Sequence, residues 1–94
     1  MQKSTHTRAY RLLRDLLVAL RSSAGLTQRE LAQRLNVPPS WVAKTELGER
    51  RLDVLEFCRL SRACGAAPEA VLAEFSASLK EQGKGRGLDR RRST

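Results

Sequence analysis

The side chains best placed to do chemistry lie in one short stretch, PSWVAKTELGERR, residues 39–51. Ser40 and Lys44 are four positions apart, about one turn of a helix, so on a helix they share a face. A hydroxyl and an ammonium can both donate hydrogen bonds to an acceptor-rich partner. Arg50 and Arg51 follow Gly48, and guanidiniums in a loop suit phosphate oxygens. This is recognition chemistry, with no bond made or broken. The sequence holds no catalytic carboxylate pair, Ser/His/Asp set, reactive cysteine arrangement or phosphate-cradling glycine loop, so an enzyme is not expected. The single histidine, His6, has no Cys, Asp or Glu at ligand spacing, so neither a metal nor another cofactor is expected.

The overall charge agrees in sign. Lys and Arg number 18 against 10 Asp and Glu, a net charge of +8 in 94 residues. Such an excess favours a polyanionic partner, nucleic acid ahead of an anionic membrane surface. One Trp, one Tyr and two Phe provide no stacking platform for single-stranded RNA. The length suits one compact domain with a small core. No run approaches the roughly 18 apolar residues of a membrane span. The opening MQKSTHTRAYRLLRDLL scatters charges through its apolar residues, which excludes a secretory signal and leaves a cytoplasmic protein as the expectation. Cys58 and Cys64 are six apart in one helical stretch, about 9 Å along the axis and on different faces, too far to bridge. They read as structural thiols in a reducing compartment.

The elements that must position the cationic residues all read as helices. Leu13, Leu16, Leu17 and Leu20 fall on one face of a helix over about 7–23, with Arg8, Arg11 and Arg14 off that face and Gly25 following its end. Thr27 and Glu30 in TQRE form a capping box that opens a second helix, about 28–35, with Leu31, Ala32 and Leu35 inward. Asn36 suits a left-handed turn at its end. Pro39 reads as the first residue of a third helix, 39–47, with Pro38 extended ahead of it and Gly48 as the stop. Asp53 and Glu56 in DVLE cap a fourth helix reaching about Cys64. Pro68 opens a fifth over roughly 68–79, with Val71, Leu72, Phe75 and Leu79 at helical spacing. The division is a flexible N-terminus over 1–6, a domain over 7–79 and a basic, flexible tail over 80–94 that adds non-specific attraction to a polyanion.

Two helices joined by so tight a corner form a helix-turn-helix, in which the first braces the second. The stretch from Leu20 to Leu72, with GLTQRELAQRLNV followed by WVAKTELGERR, resembles the Cro/cI-type (XRE-like) family of helix-turn-helix transcriptional regulators. Three positions depart from the family's habit: Asn36 where Gly is common, Pro38 where Ser or Thr caps the third helix, and Thr45 where an aliphatic residue is usual. The resemblance implies an all-α, compact five-helix, lambda-repressor-like DNA-binding domain. It also implies a dimer on a palindromic double-stranded operator, in a bacterium or a mobile element.

The resemblance further implies roles. Pro39, Ser40, Ala43 and Lys44 face base edges, with Lys44 the strongest reader. Thr27, Gln28, Arg50 and Arg51 lie along the DNA backbone, and Trp41 either joins them there or packs against the second helix. Arg21 and Glu46 form a structural ion pair between the first and third helices. The apolar surplus of the fifth helix, Val71, Phe75 and Leu79, offers a homodimer interface. A different class of function is an antitoxin-like or regulator-sequestering module, with a protein partner first and DNA second.

Overall fold

The computed structural model describes residues 6–84, and these form five helices and no strand. Most of the expected flexible N-terminus and basic tail lies outside the described residues. The exceptions are His6 and residues 80–84, the latter belonging to the fifth helix.

Helix α1, Arg8–Ser23, starts where the Thr7 hydroxyl accepts the Tyr10 N–H at 3.1 Å. Helix α2, Gln28–Leu35, is opened by the Thr27–Glu30 capping box: Glu30 N–H to the Thr27 hydroxyl at 3.0 Å, and Thr27 N–H to the Glu30 carboxylate at 2.9 Å. Leu26 before the cap and Leu31 four positions into the helix are both buried in the core, a hydrophobic staple that fixes the entry angle of the chain. Asn36 takes the left-handed conformation at the end of α2, φ 59° and ψ 46°, and the Val37 N–H returns to the Ala32 carbonyl at 3.0 Å. Pro38, extended at φ −67° and ψ 151°, then delivers Pro39 as the first residue of α3, Pro39–Leu47. The corner is thus built from one left-handed residue and two prolines, each preset for its place.

Helix α4, Val54–Ala63, carries the Asp53–Glu56 box, and α5 is Pro68–Lys84. The apolar spacing predicted that α5 stops near Leu79; it continues a further turn because Lys80 and Glu81 are good helix formers that periodicity does not register. The core gathers Leu17, Leu26, Leu31, Ala32, Val42 and Leu60, ringed by Leu13, Leu20, Leu35, Val37, Trp41, Leu52 and Phe57. Ala32 is fully buried on the inward side of α2, which packs against both α3 and α4. Helix α1 crosses behind α3 and also packs on α5. Val71, expected at a dimer surface, is only 4% exposed and belongs to the interior, whereas its neighbour Leu72 is 54% exposed.

Gly48 ends α3 with φ 80° and is buried against α1, where an added Cβ would stand 2.8 Å from Arg14 Nη1. Gly48→Ala therefore meets both a left-handed backbone and an occupied neighbour. The expected cost is about 1–2 kcal/mol from the backbone, seen as a thermal midpoint roughly 4–16 °C lower in circular dichroism melts. An unchanged midpoint overturns that assignment.

Candidate nucleic-acid interface

Helix α3 divides cleanly into two faces. Val42 and Thr45 are fully buried, while Pro39, Ser40, Lys44 and Leu47 are exposed and Ala43 is half-buried beside them. No side chain caps its N-terminus, in contrast to α2 and α4. The four residues expected to read bases therefore lie together on the solvent side. The buried Thr45 hydroxyl, at a position where the family prefers an aliphatic group, donates to the Trp41 carbonyl at 2.7 Å. Its polar cost is thus met inside the helix.

A polar network holds α3 against α1 and α2. Arg21 Nε donates to Glu46 Oε2 at 2.7 Å and Arg21 Nη2 to Glu46 Oε1 at 3.1 Å, a bidentate pair. The third arm of the guanidinium, Nη1, donates to the Leu26 carbonyl at 2.9 Å. Both side chains are largely buried, 15% and 9% exposed. Its hydrogen bonds to the Glu46 carboxylate hold Arg21 still more firmly protonated than an ordinary arginine. Gln28, expected on a phosphate, donates its amide to Glu46 Oε1 at 2.8 Å. The carboxylate only accepts, so it fixes which end of the Gln28 amide faces it and leaves the second amide hydrogen pointing elsewhere. The Thr27–Glu30 box takes up the N–H groups of those two residues, with the N–H groups of Gln28 and Arg29 outside it.

Arg14 was expected off the buried face of α1. It reaches instead to the end of α3, where its Nη1 donates to the Glu46 carbonyl at 3.4 Å beside Gly48. A cation there opposes the negative end of the α3 dipole. The sequence did carry a signal: Arg14 and Arg21 are seven apart, two turns of one helix, and so share a stripe.

Two expected backbone contacts are placed differently. About 100° of turn per residue sends Trp41 away from the exposed arc of α3, and it is half-buried against Leu35 and Val37. The Arg50 guanidinium stacks on its ring, 4.4 Å from the centroid, and is further engaged by the Thr45 hydroxyl at 3.3 Å and Glu56 at 2.9 Å. Arg50 is thus a strut between α3 and α4 in this structure. Glu56, hydrogen-bonded first by the Asp53 N–H and then by Arg50, is held below the usual glutamate range. Arg51 is exposed and lies over Tyr10, 5.4 Å from the ring centroid. The Tyr10 hydroxyl accepts the Leu52 N–H at 3.0 Å, which ties the loop after α3 to α1. Periodicity alone could not have found this tie, since Tyr10 and Leu52 are 42 positions apart.

Apolar side chains are also exposed on α4 and α5. Val54, Leu55, Leu72 and Leu79 are exposed, and Leu13, Leu52, Val54, Phe57, Leu72 and Phe75 line a shallow apolar groove. Among the described residues no helix is long and apolar enough to cross a membrane.

The sequence matches the family model of a helix-turn-helix domain over residues 12–75. No curated protein matches it significantly. Among solved structures, an XRE-family like protein from Pseudomonas syringae pv. tomato str. DC3000 is 49% identical with a TM-score of 0.74, over 80% of this chain and 92% of that one. The clp gene regulator ClgR from Corynebacterium glutamicum is 27% identical with a TM-score of 0.70, over 87% of each chain.

Proposed function

The chain belongs to the XRE-type helix-turn-helix family, and from that premise we propose that it is a sequence-specific, double-stranded DNA-binding transcriptional regulator working in the cytoplasm. Helix α3 enters the major groove with Pro39, Ser40, Ala43 and Lys44 toward base edges, while Thr27, Gln28 and Arg51 lie along phosphates. One observation carries this reading: the exposed face of α3 holds those four residues, while its buried face is pinned by the Arg21–Glu46–Gln28 network. Burial of the opposite face fixes the helix in rotation, which base reading requires. The solved structure of a gene regulator with this fold supports the assignment.

The regulator acts as a homodimer on a palindromic operator. Leu72, Phe75 and Leu79 of α5, with Val54 of α4, supply an apolar surface suited to a second copy, and a two-fold axis then presents two copies of α3. The same groove is the feature that favours the alternative, a module whose first partner is another protein.

Fluorescence anisotropy tests the proposal, using a duplex selected from a randomised pool and a shuffled control at physiological salt. Affinity for the selected duplex should exceed that for the control by on the order of 10³ or more, saturating at two chains per palindrome. Equal, salt-sensitive binding to both overturns sequence reading. Absence of binding at low salt removes DNA from the function and leaves the protein-partner alternative.

A further inference from the structure

Leu47 is the last residue of α3 and is 59% exposed. With each residue turning by about 100°, the exposed arc runs Pro39, Ala43, Leu47, Ser40, Lys44. Leu47 therefore stands in the middle of the face that carries the hydrogen-bonding groups. It also ends a stripe of apolar residues at four-residue intervals, Pro39, Ala43 and Leu47, each about 6 Å along the axis from the last. The domain's own packing does not require a leucine there. Val42, Thr45 and Trp41 fill the inward side of the helix, and Gly48 with Arg14 closes its end. Pro39 and Ala43 are short, so a surface approaching the helix can come close to its backbone, and Leu47 projects beyond them.

The floor of the major groove offers one apolar feature, the C5-methyl group of a pyrimidine. Resting on the reading of α3 as the recognition helix, we infer that Leu47, backed by Ala43, contacts such a methyl group and is a specificity-determining residue. Ser40 and Lys44 read hydrogen-bonding groups from one side of the arc, and the Pro39–Ala43–Leu47 stripe reads a methyl group from the other. Each half-site then combines a guanine for Lys44 with a methyl-bearing pyrimidine for Leu47. Thymine carries that methyl in ordinary DNA and 5-methylcytosine carries it in methylated DNA.

The test uses the full chain and a duplex selected from a randomised pool. Each thymine of a half-site is replaced in turn by deoxyuridine, which deletes the methyl and keeps every hydrogen-bonding group. At one position the replacement should weaken binding about fourfold, the worth of one buried methyl group. The same replacement should cost the Leu47→Ala variant nothing. A second arm places cytosine or 5-methylcytosine at that position. Recovery on methylation extends the reading to methylated DNA, and no recovery confines it to thymine. Full selectivity for the selected duplex with an equal deoxyuridine cost in both proteins overturns the role of Leu47 and leaves the regulator reading intact. Failure to bind any duplex overturns both. Leu47 is exposed, so the variant folds, and a thermal melt verifies it.

Discussion

Glu46→Ala destabilises the domain by about 3 kcal/mol, the scale for removing one partner of a buried ion pair. The loss goes beyond one attraction. Glu46 accepts two bonds from Arg21 and one from Gln28. Deleting it strands a guanidinium that is only 15% exposed and frees the amide that orients the start of α2. A domain of this size has a total stability of roughly 5–15 kcal/mol, so the loss is a large share. It lowers the thermal midpoint by roughly 12–24 °C. Urea denaturation reads it as a fall in the midpoint with an unchanged slope. The double variant Arg21→Met, Glu46→Leu separates pairing from desolvation. With no charge left buried, it should be more stable than either single variant, a coupling readable from the thermodynamic cycle. Additive losses would show instead that the pair stabilises through independent contacts.

The corner was open to sequence reading because its chemistry is local. TQRE and DVLE announce two helix starts within four residues each, and Asn36, Pro38 and Pro39 each fit one backbone conformation. The Arg21–Glu46 pairing came from the family resemblance; nothing in the spacing of the two residues implies it. What stayed hidden depends on proximity across the fold. Trp41 and Arg50 look like a surface aromatic and a surface cation until α4 supplies Glu56 on the far side. Gln28 looks like a plain surface amide until the end of α3 is brought against α2 and Glu46 takes one of its amide hydrogens. Val71 and Leu72 both fit an apolar stripe on α5, and only the position of the core decides that Val71 turns inward. In each case the residue type was informative, and the missing quantity was the identity of the neighbour.

Lys44→Ala weakens binding to a selected operator by roughly 10–100-fold, within the 1–3 kcal/mol of a specific base contact. On a shuffled duplex it weakens binding far less. The unequal losses follow from where Lys44 stands. Of the five side chains on the outward arc of α3, it alone is charged, and it is exposed one turn beyond Ser40. An ammonium set against guanine O6 and N7 gains from a particular base, whereas one set against a phosphate gains equally from any sequence. Alanine is the best helix former, so the variant keeps α3 and loses only a few tenths of a kcal/mol through the dipole of its last turn. Arg51→Ala provides the contrast, since a phosphate contact should lower affinity for both duplexes alike and reduce the slope of log K against log salt by about one. Equal losses for Lys44→Ala on both duplexes would place Lys44 on the phosphates too. Base reading would then rest on Ser40 and the apolar stripe, and α3 would lie in the groove rotated toward Pro39, with Lys44 lifted to the backbone.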